Sequence, residues 1–205
     1  MSVYMSTQTL PLFPLNVVVF PQGVLPLHIF EARYLDMVKQ CYRTGTPFGV
    51  VAVLEGAASS GLPFARIGTA VSIVEFDVPD IGLINIRCLG QQRFRINAAS
   101  QQKDGLWVGQ VDMMENDIAI ALPDDLARTS ENLRQVINAL LKQGISEQAL
   151  PVAKPYQFDD CAWVANRWCE LLNLPLEEKQ RLLELDSALL RLELIQDMFI
   201  ANEGR

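Results

Sequence analysis

The stretch from Leu10 to Tyr34 constrains this chain more than any other. It reads Leu-Pro-Leu-Phe-Pro-Leu-Asn-Val-Val-Val-Phe-Pro from Leu10 to Pro21. It continues Leu-Pro-Leu-His-Ile-Phe-Glu-Ala-Arg-Tyr from Leu25 to Tyr34. The stretch is apolar, yet Pro11, Pro14, Pro21 and Pro26 interrupt it. Each proline removes a backbone donor and fixes φ. The stretch is therefore neither one long helix nor a central strand of a flat sheet. It predicts short extended segments that turn at the prolines and enter a helix near Glu31.

Half of the 205 residues are apolar and 20% are charged, enough for a sizeable core and too few charges for a disordered chain. The net charge is −7. Residues 1–118 carry 8 Lys+Arg against 10 Asp+Glu, and residues 119–205 carry 9 against 14. Neither part is a basic footprint, so capture of nucleic acid or of an anionic membrane is disfavoured. Met1–Gln8 lacks Lys and Arg, so no secretory leader is expected, and no apolar run is long enough to span a membrane. Cys41, Cys88, Cys161 and Cys169 are scattered through apolar patterns, which fits reduced, buried thiols in a cytoplasmic protein.

Phe30, Tyr34, Val38 and Cys41 recur at helical spacing, so residues 31–44 are expected to form a helix ended by Gly45 and Pro47. Residues 48–54 read as a strand buried on both faces, and residues 55–63 as a mobile surface loop. Residues 66–77 predict a strand, 79–82 a turn and 83–90 its hairpin partner. Residues 91–96 and 106–113 predict two further strands. Together they suggest a small, strongly bent sheet or open barrel.

After about residue 118, Ala, Leu, Glu and Gln dominate. Helices are expected from Pro123 to Gly144, after Asp159-Asp160, over 176–184 and from Asp186-Ser187 to about Asn202. This pattern predicts a helical bundle.

The chain is poor in catalytic patterns. His28 is the sole histidine, and among apolar neighbours it reads as a hydrogen-bonded structural residue before a general base. The sequence contains no Cys-x-x-Cys, no Gly-Lys and no Gly-x-Ser-x-Gly. Neither a metal nor a cofactor is expected, and the chain is read as non-enzymatic. Arg93 and Arg95 are expected on one exposed strand face opposite Phe94, with Arg87 on a neighbouring strand pairing Glu75 or Asp77. Glu31 and Arg33 are expected to pair at the strand–helix junction. Trp168 fits the buried stripe of its helix and Trp163 does not, so an exposed Trp163 is a candidate contact residue.

The opening stretch resembles the start of the Lon protease N-terminal (substrate-binding) domain. Phe48-Gly-Val-Val51, Gly68-Thr-Ala with Glu75-Phe76, and Arg93-Phe-Arg-Ile96 follow in that family's order, as do Glu177–Glu184 and Leu192-Glu-Leu194. Ala32 departs from the proline common at the helix start. The resemblance covers roughly residues 9–200. It implies an α+β chain with a flexible N-terminus (1–8), a PUA-like bent β-barrel with an inserted helix (9–118) and an α-helical bundle (119–205).

The resemblance also implies a stand-alone, non-catalytic module that binds peptide or unfolded protein, without ATPase or protease domains. Phe20, Phe30, Arg33, Tyr34 and Trp163 are the expected peptide-binding residues. A separate protease or chaperone is a candidate partner, and a membrane is not. PUA-like folds elsewhere bind RNA, so an RNA-binding module reading Arg93 and Arg95 is the alternative.

Overall fold

The computed structural model describes residues 7–54 and 61–203, so most of the expected loop at 55–63 lies outside the described residues. The chain is α+β and divides into two compact units, Met1–Asn116 and Asp117–Arg205.

The first unit holds β1 (Thr7–Leu15), β2 (Val24–Ile29), α1 (Ala32–Thr44), β3 (Phe48–Ala52), β4 (Ile67–Asp80), β5 (Leu83–Gln101) and β6 (Trp107–Met113). The strands form one mixed sheet in the order β2-β5-β4-β3-β1-β6, and β5 also pairs with β6. The ladder from β5 through β4, β3, β1 and β6 thus returns to β5. Only β1 and β3 run parallel among the paired strands.

β1 sits between two strands despite Pro11 and Pro14. It pairs with β6 over Thr7–Leu12 and with β3 over Leu12–Leu15. The partners change at Leu12, so each proline lies where one side of the strand has no ladder to complete. That is where a missing N–H costs least.

Pro21 and Gln22 form the next bend. The Gly23 amide donates to Phe20 O at 2.9 Å, and Gln22 has φ +63°. Proline at the second turn position and positive φ at the third are the demands of a type II turn. The Gln22 amide then donates to Gly90 O, and the Gly90 amide to Gly23 O, both at 2.8 Å. This is the bonding of a bulge whose left-handed residue is Gln22.

The expected strands at 83–90 and 91–96 are one 19-residue strand, β5. Gly90 does not end it. A Cβ there would lie 2.3 Å from Phe20 O, so the glycine lets the bulge seat against a continuous strand.

α1 buries Tyr34, Met37, Val38 and Cys41, and ends at Gly45 with φ +66°. Those side chains join Phe13, Phe48, Val71, Ile84, Ile86 and Cys88 in one core cluster. A second cluster gathers Leu12, Val51, Phe64, Phe94 and Ile96. Phe94 packs so closely that a Cβ on Gly49 would lie 2.6 Å from its ring. Burying such a ring contributes roughly 1.5–3 kcal/mol.

The second unit holds α2 (Ala127–Lys142), α3 (Cys161–Leu171), α4 (Leu176–Glu184) and α5 (Ala188–Glu203), with a 3-10 turn at Asp124–Leu126 leading into α2. Asp160 caps α3 by accepting from the Trp163 amide at 2.7 Å. α3 is buried around most of its circumference and carries Asn166 and Arg167 as well as its apolar residues. The Arg191 guanidinium is fully buried. It donates to Asp117 Oδ2 at 2.8 Å, Asn166 Oδ1 at 2.7 Å, Leu182 O at 2.9 Å and Leu185 O at 2.7 Å.

Candidate functional site: the apolar end of the β2–β5–β4 section

β4 leaves β3 after Val71 and continues to Asp80 with β5 as its partner. β2 pairs with the same part of β5, from Val24–Leu89 to Ile29–Ile84. Three strands therefore run on together. Leu27, Ile86 and Phe76 lie opposite one another and share a face. Tyr42, near the end of α1, stacks on Phe76 with ring centroids 4.5 Å apart and remains half exposed.

The far end of this section exposes several apolar side chains beside Asp77 and Asp80. Ile81 is fully exposed at the tip and Val78 is more than half exposed near it, while Val74 is exposed further back along β4, level with Arg87 and Cys88. Both valines sit where the β4–β5 register shifts. Phe30 is 72% exposed. It lies one residue beyond the Ile29–Ile84 pair, so the register brings it to the end of the section where Leu83 and the tip lie. Exposed apolar groups gathered at one end of a sheet make that end the candidate contact surface.

Of the expected peptide-binding residues, Phe30 is the one at this surface. Phe20 is fully buried, and its carbonyl closes on Gly90. Tyr34 is buried and stacks on Phe13 with centroids 3.9 Å apart. Desolvation by that burial raises its phenol pKa; Arg33 opposes the shift.

Arg33 ties elements together. Its Nη2 and Nε bond Glu31 Oε2 at 2.8 and 3.0 Å, and its Nη1 donates to Gly105 O at 2.9 Å in the β5–β6 turn. The expected junction pair is present, with a long-range anchor added.

Trp163 belongs to the second unit and is 2% exposed. The expected exposure is corrected: α3 is enclosed on nearly all sides, so a residue off the apolar stripe is buried too. Trp163 packs against Tyr156 and Phe158 with centroids 6.1 and 5.3 Å away.

The three arginines do not share an exposed face. Arg93 is buried and Arg95 exposed, while Arg87 bonds Glu75 at 3.2 Å as expected. The register is regular from Thr69–Arg93 to Ile67–Arg95, so the two alternate onto one face as expected, but that face is covered at Arg93 and open only at Arg95. His28 Nδ1 shares a 2.6 Å hydrogen bond with Asn85 Oδ1 on the outer face, and its side chain is exposed, not enclosed by the apolar stretch.

All four cysteines are free and buried. Desolvation pushes Cys88 and Cys169 up to about 12 and Cys161 to about 11. Such thiols are poor nucleophiles and poor metal ligands at neutral pH. Among the described residues no cluster of three or more His, Cys, Asp or Glu could hold a metal ion, and no helix is long and apolar enough to cross a membrane.

Tyr42, Phe76, Val78 and Ile81 were not among the expected peptide-binding residues. One signal was present: isoleucine is an unusual choice for the tip of a two-residue turn.

Comparison with known proteins agrees with this architecture. Residues 9–200 match the family described as the ATP-dependent protease La (LON) substrate-binding domain. A crystal structure of a Lon N-terminal domain protein from Xanthomonas campestris is 34% identical. It superposes with a TM-score of 0.74, over 93% of this chain and 98% of that one. Lon protease of Cytophaga hutchinsonii is 25% identical over 188 residues, 89% of this chain and 23% of that protein. Protein cereblon of Xenopus tropicalis is 26% identical over 113 residues, 53% of this chain and 24% of that protein. The chain thus spans about a quarter of the length of these two relatives. With residues 9–200 matched, this chain belongs to the Lon substrate-binding domain family.

Proposed function

We propose that this chain is a non-catalytic recognition module that binds apolar segments of unfolded or partly unfolded polypeptide. The exposed apolar end of the β2–β5–β4 section, with Phe30, Val78 and Ile81, carries the reading. An exposed patch of this kind is stable in water yet gains free energy when another apolar chain covers it, at about 25 cal/mol per Å² removed from water. Family membership supports the same class of ligand. We read the first unit as a PUA-like bent β-barrel, supported by the ladder that returns to β5, and the second as a helical bundle. The cytoplasmic location expected from the sequence goes with four free thiols.

The test is a titration of the protein with a permanently unfolded model protein and with its folded counterpart. Binding of the unfolded form alone is the expected result. Equal binding of both, or of neither, removes the proposal.

A further inference from the structure

The second unit contains a pocket between α2 and α5, lined by Arg128, Thr129, Asn132, Gln196, Phe199 and Ile200. Its volume is about 80 Å³, several times what one water occupies and of the order of one branched aliphatic side chain. The walls are fixed from behind. Thr129 Oγ1 donates to Leu126 O at 2.6 Å, and Thr129 O accepts from Trp168 Nε1 at 2.9 Å. Trp168 meets Phe199 edge-on with centroids 4.7 Å apart. Phe199 and Ile200 give the pocket an apolar floor.

The polar groups of this pocket are of complementary kinds. Arg128 and Asn132 bring N–H donors, and the guanidinium is permanently charged. Gln196 Oε1 is a shielded acceptor with no hydrogen-bond partner. Its amide is otherwise held by Nε2 donating to Asp125 O at 3.4 Å, close to the limit of a hydrogen bond. The terminal torsion of glutamine is soft, so turning Oε1 into the pocket sacrifices little. An orphaned acceptor requires an N–H, the arginine and asparagine suit a carboxylate, and the floor suits an aliphatic group.

One chemical unit supplies all three within a single residue. We propose that this pocket binds the C-terminal residue of a polypeptide that ends in an aliphatic side chain. Its free carboxylate lies toward Arg128 and Asn132, its amide N–H toward Gln196 Oε1, and its side chain on Phe199 and Ile200. The inference stands apart from the apolar end of the sheet, and each can fail alone.

The experiment uses the whole chain and the peptide N-acetyl-Gly-Gly-Ile, as the free acid and as the C-terminal carboxamide. Binding is followed by amide chemical shifts, including those of Asn132 and Ile200. The free acid is expected to bind about tenfold or more tightly than the carboxamide, the loss of one charge-assisted contact. Arg128→Gln is expected to abolish that difference, and Gln196→Leu to weaken the free acid by about tenfold. Arg128 and Ile200 are exposed, so Arg128→Gln and Ile200→Lys are expected to leave the fold intact, checked by their thermal midpoints. Ile200→Lys should abolish binding of both peptides. Equal binding of acid and carboxamide, binding of neither, or shifts that avoid α2 and α5 would overturn the proposal.

Discussion

The carbonyl of Phe20 rests on Gly90: a Cβ at position 90 would come within 2.3 Å of that oxygen. This contact seats the Pro21–Gln22 turn on the middle of β5 and so directs β2 along it. Gly90→Ala must displace backbone and is expected to cost about 2–3 kcal/mol or more. Gln22→Gly should act oppositely. It relieves a non-glycine residue from left-handed backbone, about 1–2 kcal/mol, and returns about half of that as chain entropy. A net gain of about 0.5–1 kcal/mol is expected. Urea unfolding of both variants checks the signs.

Arg33 joins the start of α1 to the β5–β6 turn through Glu31 and the Gly105 carbonyl. The ion pair is partly exposed and adds little alone. The bond from a charged donor to a carbonyl is the larger part. Arg33→Ala is expected to lower stability by about 1–2 kcal/mol. Arg33→Lys should recover less than half, since an ammonium cannot serve both partners with a planar fork. Hydrogen exchange of the residue 101–106 amides should quicken in both variants.

In the second unit, Arg191 and Asp117 are buried together, with side-chain exposures of 1% and 6%. Asp117→Ala leaves a buried guanidinium without its counter-charge and is expected to cost about 3–5 kcal/mol. Arg191→Met combined with Asp117→Asn removes both charges and should cost clearly less than Asp117→Ala. Thermal unfolding of the three proteins orders them.

The buried thiols set an alkaline limit. Cys88 and Cys169 ionise near 9.0 when unfolded and are raised to about 12 in the fold; Cys161 is raised to about 11. A raised acid binds more protons when folded, so stability is complete below pH 9 and declines as pH rises from there through the folded values. Each group steepens the decline by up to about 1.4 kcal/mol per pH unit. Cys88→Ala should lose stability at pH 7 through its cavity, yet show a shallower decline between pH 9 and 11. Denaturant midpoints across that range measure the slope.

Much of the fold was legible because local chemistry is strong where it was read. Tyr34, Val38 and Cys41 mark the buried face of α1, Gly45 ends it, and Asp160 caps α3. The single β5 strand was not legible. Gly90 reads as a terminator locally, and only the Phe20 carbonyl, seventy residues away in sequence, explains it. Trp163 was misplaced because a helical stripe says which side is buried first, not how many sides neighbours will cover. The candidate site was the least legible part. Phe20 and Tyr34 are large and lie in the most specific stretch, but they build the core. Val78 and Ile81 gained meaning only when the register put them at one end with Phe30.

The most direct measurement compares binding of a permanently unfolded model protein by the wild-type chain and by a Phe30→Ser, Val78→Ser, Ile81→Ser variant. All three side chains are exposed in the fold, so the variant should unfold at the wild-type temperature or above. Affinity at least tenfold weaker in the variant is expected, equivalent to about 1.4 kcal/mol or more, with the thermal midpoint unchanged or raised. Equal affinity in the two proteins would show that the apolar end of the sheet does not bind unfolded chains.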